Sequence, residues 1–83
     1  MRGAGPVGWG GETIYAYFTT DAGVTRVRVS LDEADRLDVD EGWRGRLVLP
    51  GAEPVDGLVV RVRRDPPFAW VEFTPLAAAG RAG

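Results

Sequence analysis

The chain has 83 residues and a formal net charge of −2, and it contains neither cysteine nor histidine. Lysine, asparagine and glutamine are also absent, all ten basic residues are arginine, and Ser30 is the only serine. These absences exclude a disulfide, a thiolate or histidine zinc site, a Schiff-base lysine, and Cys–His or Ser–His catalysis. We therefore expect one small domain that is not an enzyme and that carries no cofactor and no metal.

The sequence contains no recognisable targeting signal and no recognisable membrane-spanning segment. No apolar run approaches the roughly 18 residues of a membrane span, and the opening MRGAGPVGWGGE has no hydrophobic signal region. A cytoplasmic protein without membrane contact is the expectation. Residues 1–11 hold five glycines and one proline without periodicity, which predicts a flexible arm. Trp9, inside that arm, either covers one end of the fold or anchors a partner.

Two strands open the predicted domain, joined by a turn. In residues 12–20 we place Ile14, Ala16 and Phe18 on the core face, because apolar and polar residues alternate there. The Asp21-Ala22-Gly23 segment predicts a tight turn and an antiparallel return. In residues 24–30 the alternation sets Thr25, Val27 and Val29 against Arg26 and Arg28. A slip by one residue would bury two arginines, so the register is strongly specified.

A short helix is predicted to follow at Ser30. The Ser30 hydroxyl and Glu33 have the spacing of a capping box, and Leu31, Ala34 and Leu37 form a narrow apolar stripe. A helix this short is marginal in water, so we expect it to dock on the barrel and plug one open end. After it, Asp38 is expected in a left-handed conformation, Val39 in the core, and Gly42 at a sharp bend.

Three more strands complete the prediction, at residues 44–49, 55–64 and 68–74. The inward residues are expected to be Leu47 and Leu49 in the first and Ala69, Val71 and Phe73 in the last. In the middle strand, alternation sets Leu58, Val60 and Val62 on one face and Val59, Arg61 and Arg63 on the other. The turn at Pro50-Gly51 fits type II, and Pro66-Pro67 ends the middle strand.

These elements predict an all-β fold: a small five-stranded, partly open antiparallel barrel with one short helix between strands 2 and 3. An open sheet with the helix across one face is the alternative. The domain organisation is a flexible arm at 1–11, the barrel at 12–75, and a disordered tail at 76–83, where small residues dominate.

The outward positions of the predicted strands carry arginines and aromatic rings. This combination is typical of single-stranded nucleic-acid platforms and also of protein interfaces. The ordinary alternative is that exposed arginines pair with Glu72 or Glu12 and stack on aromatic rings. Whether the arginines form one patch is open, because outer positions spread around a barrel. The candidate residues for binding a partner or nucleic acid are Tyr15, Tyr17, Arg26, Arg28, Arg46, Arg61, Arg63 and Trp70.

Half of the twelve acidic residues fall between positions 32 and 41. Asp38-x-Asp40 matches part of a calcium loop but lacks the glycine and the final bidentate glutamate, so the preferred interpretation is a solvated acidic helix face. An acidic knob beside an arginine-rich barrel also suits docking onto a charge-complementary protein surface.

The segment VRVS-LDEADRL-DVDEG-WRGRLVL resembles the β-α-β element of cradle-loop barrels, such as AbrB-like swapped-hairpin transcription factors and the double-psi barrels of molybdopterin oxidoreductases. GWRGRLVLPGAEPVDGLVVRVRR is similar to the barrel domain of HlyD-like membrane-fusion adaptors. The AbrB-like resemblance implies a small DNA-binding dimer in which Arg26, Arg28 and Arg46 hold the basic positions. Serine replaces its usual cap proline at position 30, and aspartate replaces its usual glycine at position 38.

The sequence thus favours a small accessory protein that binds a protein partner or forms a homodimer. A dimeric DNA- or RNA-binding regulator that uses the arginine strands is the second hypothesis, although a net charge of −2 is unusual for such proteins. An enzyme subunit that relies on carboxylates is the third.

Overall fold

The structure is a computed structural model that describes residues 2–76. Within that range it contains six strands and one helix. Their bounds are β1 (Arg2–Trp9), β2 (Glu12–Asp21), β3 (Val24–Ser30), α1 (Leu31–Arg36), β4 (Arg44–Val48), β5 (Val55–Asp65) and β6 (Phe68–Pro75). The strands form a closed barrel in the order β1-β2-β3-β6-β5-β4, and every neighbouring pair is antiparallel. The predicted all-β class with one short helix is confirmed.

The prediction of five strands in a partly open barrel is wrong, because β1 supplies a sixth strand that closes it. The expected flexible arm is wrong for residues 2–9: β1 pairs with β2 along its whole length and, through Gly8 and Trp9, with β4. Gly5, Val7 and Trp9 face the interior. Glycine has no side chain to show alternation, but its backbone still donates and accepts the ladder hydrogen bonds. Of the tail predicted at 76–83, all but Leu76 lies outside the described residues.

The first hairpin follows the sequence closely. Ile14, Ala16 and Phe18 are buried in β2, as predicted. The connecting loop is Ala22-Gly23, with φ angles of 52° and 80°, which is the left-handed geometry that two-residue hairpin turns require. The β3 alternation is also confirmed, since Val27 and Val29 are buried and Arg26 is exposed.

The helix α1 is capped and docked as its sequence indicates. The Ser30 Oγ accepts a hydrogen bond from the Glu33 N–H at 3.0 Å, which confirms one half of the capping box. The Glu33 carboxylate instead accepts from Arg36 at 2.6 Å, and Arg36 also donates to Glu12 on β2 at 2.6 Å. These hydrogen bonds, to Glu33 first and then Glu12, raise the pKa of Arg36. Ala34 is buried, and α1 packs against β3 and β6.

The segment between α1 and β4 crosses back to the barrel. Asp38 has a left-handed φ of 54°, Val39 is buried, and Gly42 has a φ of 90°, all as predicted. The Gly42 N–H donates to the Val59 carbonyl and the Val59 N–H donates to the Trp43 carbonyl, both at 2.8 Å. These two bonds attach the segment to β5.

The middle of β5 departs from simple alternation. Val59 pairs with Phe73 and Arg61 pairs with Glu72, so Val60 is an unpaired extra residue, a β-bulge. Val59 is therefore buried while Val60 is 46% exposed. The predicted face of Leu58, Val60 and Val62 is wrong, because the bulge reverses which residues point inward. In β4 and β6 the predicted inward residues are buried.

Candidate functional site

Four neighbouring strands, β2, β3, β6 and β5, bring arginine and aromatic side chains into two cross-strand rows on the outside of the barrel. The Trp70 row consists of Tyr17, Arg28, Trp70 and Arg63, one from each strand in register. The Glu72 row consists of Thr19, Arg26, Glu72 and Arg61. The two rows, with Tyr15 and Phe68 at the α1 end, are called the arginine face below.

The bulge at Val60 is what places two of these arginines on the arginine face. Val59 lies opposite Phe73 and points inward, so uninterrupted alternation would also turn Arg61 and Arg63 inward. The extra residue restores the outward direction for both. The predicted outward orientation of these arginines is thus observed, although Val59 does not share their face.

The Glu72 row is an arginine–carboxylate–arginine arrangement. The Arg26 Nε donates to Glu72 Oε1 at 2.9 Å, and Arg61 Nε lies 3.9 Å from Glu72 Oε2. The Glu72 side chain is 19% exposed, whereas those of Arg26 and Arg61 are 46% and 64% exposed. The alternative interpretation, in which exposed strand arginines pair with Glu72, holds for Arg26 and Arg61. One carboxylate balances part of the charge of two guanidinium groups here.

The Trp70 row has no carboxylate at the corresponding place. The Arg28 Cζ lies 4.6 Å from the Phe68 ring centroid, 5.3 Å from that of Tyr17 and 6.0 Å from that of Trp70. Tyr17 and Trp70 themselves meet edge to face at 6.0 Å. Within residues 2–76, no carboxylate oxygen lies within 4.0 Å of Arg28 or Arg63. Neither guanidinium group is therefore paired with a carboxylate within this range, and the N–H donors of both are available.

Two clefts open on the arginine face. One, of about 180 Å³, is lined by Arg26, Arg61, Arg63, Trp70 and Glu72. The other, of about 300 Å³, is a shallower groove between the aromatic end of the face and α1. Its lining residues are Ala4, Tyr15, Ala16, Tyr17, Arg28, Ser30, Glu33 and Phe68. The Tyr15 side chain stands out at the edge of this groove, since the residue is 80% exposed.

The structure thus brings together seven of the eight predicted residues: Tyr15, Tyr17, Arg26, Arg28, Arg61, Arg63 and Trp70. Arg46 does not belong with them. It lies on β4, outside these four strands, and its Nε is 3.2 Å from Asp56 Oδ1 on β5. The basic positions that the AbrB-like resemblance implies are therefore divided between two surfaces.

Phe68 is the contact residue that the sequence interpretation missed. It precedes Trp70 by two positions on β6, so period-two alternation already placed both rings outside. The preceding Pro66-Pro67 pair indicates where a strand ends and gives no information about the direction of the Phe68 side chain. Its ring gives the shortest of the three aromatic contacts to Arg28.

Outside the arginine face, an apolar cleft of about 240 Å³ lies at the end of the barrel away from α1. Leu47, Leu49, Val55 and Phe73 are among its lining residues. Across residues 2–76, no three carboxylates group closely enough to hold a metal ion, and no helix is long and apolar enough to cross a membrane.

Comparison with known proteins adds no relative: no protein family, curated protein or solved structure matches this chain. The functional argument therefore depends on the geometry and charge of the arginine face. The resemblance to cradle-loop barrels stays a prediction.

Proposed function

We propose that this protein is a small, non-catalytic interaction module that binds a protein partner through the arginine face. The observation that carries the proposal is the convergence of four guanidinium groups, with one carboxylate in their two rows, and four outward aromatic rings on adjacent strands. Arginine, tryptophan and tyrosine are the residues most enriched at the energetic centres of protein interfaces. The partner surface that fits this face is acidic.

Charge around the face favours a protein partner over a nucleic acid. The chain as a whole carries −2, and Glu33 and Glu72 contribute carboxylates to the two clefts of the face. A nucleic acid brings a phosphate at every step, so a long strand would pass these carboxylates and be repelled. A short acidic segment of a protein carries fewer negative charges than a nucleic-acid strand, so it meets less of this repulsion.

A regulator that binds single-stranded DNA or RNA is the second candidate function. The specific observation in its favour is Tyr15, which is 80% exposed beside Tyr17 and Arg28 in the same groove. An exposed ring next to a guanidinium suits base stacking with a phosphate contact. Such binding would weaken steeply as salt increases, because phosphate contacts release counterions.

A second copy of this chain is the other candidate for the acidic partner of the arginine face. Asp32 and Glu33 on α1 lie at the aromatic end of the arginine face, so one patch holds both signs of charge. In a two-fold dimer the same patch of each copy forms the interface. The acidic helix of one copy then contacts the arginines of the other. Sedimentation velocity at low and physiological salt distinguishes this arrangement from a separate partner.

The first test measures binding of an acidic probe by isothermal titration. We expect the protein to bind a hexaglutamate peptide, and we expect Trp70→Ala to weaken that binding by about tenfold, as loss of a central interface aromatic does. Tyr15→Ala is a second variant of the arginine face. Because the Tyr15 side chain is highly exposed, this change should leave the fold intact. Arg44→Ala, an exposed arginine on β4, is the control and should bind like the unaltered protein.

Three results would count against the proposal. Equal binding by the Trp70→Ala and unaltered proteins, with both folded by circular dichroism, would remove the arginine face as the interface. Binding of oligo(dT) but not of hexaglutamate would favour the nucleic-acid function. Binding of neither probe at low salt, together with a monomer in sedimentation, would exclude both the protein-binding and the nucleic-acid-binding function.

A further inference from the structure

The two rows of the arginine face have arginines at the same two positions, on β3 and β5, and differ on β2 (Thr19 or Tyr17) and on β6 (Glu72 or Trp70). In the Glu72 row, β3 and β5 each contribute an arginine and β6 contributes a glutamate between them. In the Trp70 row, β3 and β5 again contribute arginines, but the residue between them is Trp70. In both rows the two arginines are two strand spacings apart, about 10 Å between backbones, so the spans are alike. The Glu72 row shows that one carboxylate suits two arginines across this span.

The two arginines of the Trp70 row have no carboxylate partner within the described residues, so both are available to a ligand. Arg28 is surrounded by the rings of Phe68, Tyr17 and Trp70 at 4.6, 5.3 and 6.0 Å, and within residues 2–76 it makes no hydrogen bond to another residue. Aromatic rings hold a guanidinium in place without neutralising it or occupying its N–H groups. The guanidinium group therefore loses less conformational freedom when it binds an anion. Arg63, across Trp70, is exposed and equally without a carboxylate.

We infer that Arg28 and Arg63 together bind a carboxylate of an acidic segment of a partner protein, above the ring of Trp70. This inference rests on the proposed function and specifies where on the arginine face the partner's acid lies. A single carboxylate fits better than a phosphate chain, because Glu72 lines the cleft that holds Arg63 and Glu33 lines the groove that holds Arg28, so a chain of charges running through both would be repelled. Each guanidinium offers paired N–H donors that match a carboxylate, so the contact is directional as well as charged.

Single arginine substitutions within the face test the assignment. We expect Arg28→Gln and Arg63→Gln each to weaken hexaglutamate binding by about tenfold, because each removes one charged contact to the bound carboxylate. Arg26→Gln and Arg61→Gln should weaken it by less than about threefold, since these arginines are already engaged by Glu72 and lie in the other row. All four variants lose the same charge, so net charge alone cannot produce a difference between the rows.

A second comparison keeps the test valid if Arg28→Gln disturbs the packing of its aromatic neighbours. Arg63 is exposed and makes no cation–π contact within residues 2–76, so Arg63→Gln should leave the fold intact and must still show the loss. Arg63→Lys keeps the charge and loses the planar pair of donors, and we expect it to bind between Arg63→Gln and the unaltered protein.

The outcomes separate this inference from the function on which it rests. If Arg26→Gln or Arg61→Gln costs as much as Arg63→Gln while the peptide still binds, the position above Trp70 is overturned and the interaction face stands. If the unaltered protein binds no peptide, the proposed function fails and the inference fails with it. A dimer in sedimentation that Arg63→Gln dissociates would identify the occupant as a second copy and overturn a separate partner. Preferential binding of oligo(dT) would overturn a carboxylate.

Discussion

Trp9 on β1 packs its indole ring against Trp43 and Phe73, with ring centroids 5.1 and 5.8 Å away. The residue is only 2% exposed, so it belongs to the core. Of the two interpretations that the sequence allowed, this burial favours the one in which Trp9 covers the barrel interior. Its Nε1 is buried and has no hydrogen-bond partner within residues 2–76, a cost that the packing of a large ring offsets.

Trp9→Ala should therefore lower the free energy of unfolding by about 3–5 kcal/mol, the usual cost of removing a large aromatic ring from a core. Small domains have total stabilities of about 5–15 kcal/mol, so the variant would be close to unfolding. Urea denaturation followed by circular dichroism measures the change. Tyr15→Ala, at an 80% exposed position, is the control and should stay within about 0.5 kcal/mol of the unaltered protein. Equal midpoints for the two variants would mean that Trp9 is not in the core.

At the level of the single element, the bulge in β5 determines both the packing of Val59 and the outward direction of Arg61 and Arg63. Val59 is 1% exposed and Val60 is 46% exposed, although they are adjacent and of the same residue type. Two adjacent residues of a regular strand also point to opposite sides, so burial alone does not show a bulge. Its signature is that Val59 points inward while Arg61, two residues later, points outward beside Glu72.

Val59→Ala and Val60→Ala form a matched pair that tests this arrangement. We expect Val59→Ala to destabilise the protein by about 2 kcal/mol through lost burial and a residual cavity. Val60→Ala should cost less than about 1 kcal/mol, because its side chain is half exposed. Regular alternation with Leu58, Val60 and Val62 inside predicts the reverse order. Thermal unfolding of the two variants distinguishes these orientations.

The elements that could be predicted from the sequence are those with contrasting side chains. In β2, β3, β4 and β6, large apolar residues alternate with charged or aromatic ones, and the observed inward residues match. The β1 strand was missed because Gly3, Gly5 and Gly8 conceal its alternation. The bulge was missed because valine occupies both the inward and the bulged position, so side-chain chemistry does not mark the shift.

The candidate site was predictable residue by residue but not as a surface. Alternation indicated that the strand arginines face outward, and the two hairpins β2–β3 and β5–β6 were readable from their turns. What joins the hairpins is the pairing of β3 with β6, for example Arg28 with Trp70, across 41 intervening residues. No local pattern specifies such a pairing, since it depends on the closure of the whole barrel. Arg46 faces outward as predicted, but it lies on β4 and pairs with Asp56.

At the scale of the whole molecule, charge is separated more than the net value of −2 suggests. Arginines gather on the strands of the arginine face, while Asp32, Glu33 and Asp35 occupy α1 at its end. Arg64 lies 3.9 Å from Asp35, and Arg36 links Glu33 to Glu12, so part of the acidic charge is engaged internally. For the proposed acidic partner, this separation favours an approach toward the arginines and away from the acidic residues of α1.

Closure of the barrel is the molecular property on which the arginine face depends. Without β1, both β2 and β4 would have an unpaired edge, and Val7 and Trp9 would leave the core. Burying each of these side chains contributes about 1.5–3 kcal/mol, which is a large part of the stability of a domain this small. We therefore expect a chain truncated to residues 12–83 to lose its near-ultraviolet circular dichroism and its cooperative unfolding. A synthetic peptide of residues 1–11, added in excess, should restore both signals by pairing with the exposed edges. If the truncated chain unfolds at the same temperature as the full chain, then β1 is a dispensable arm and the barrel is stable with five strands.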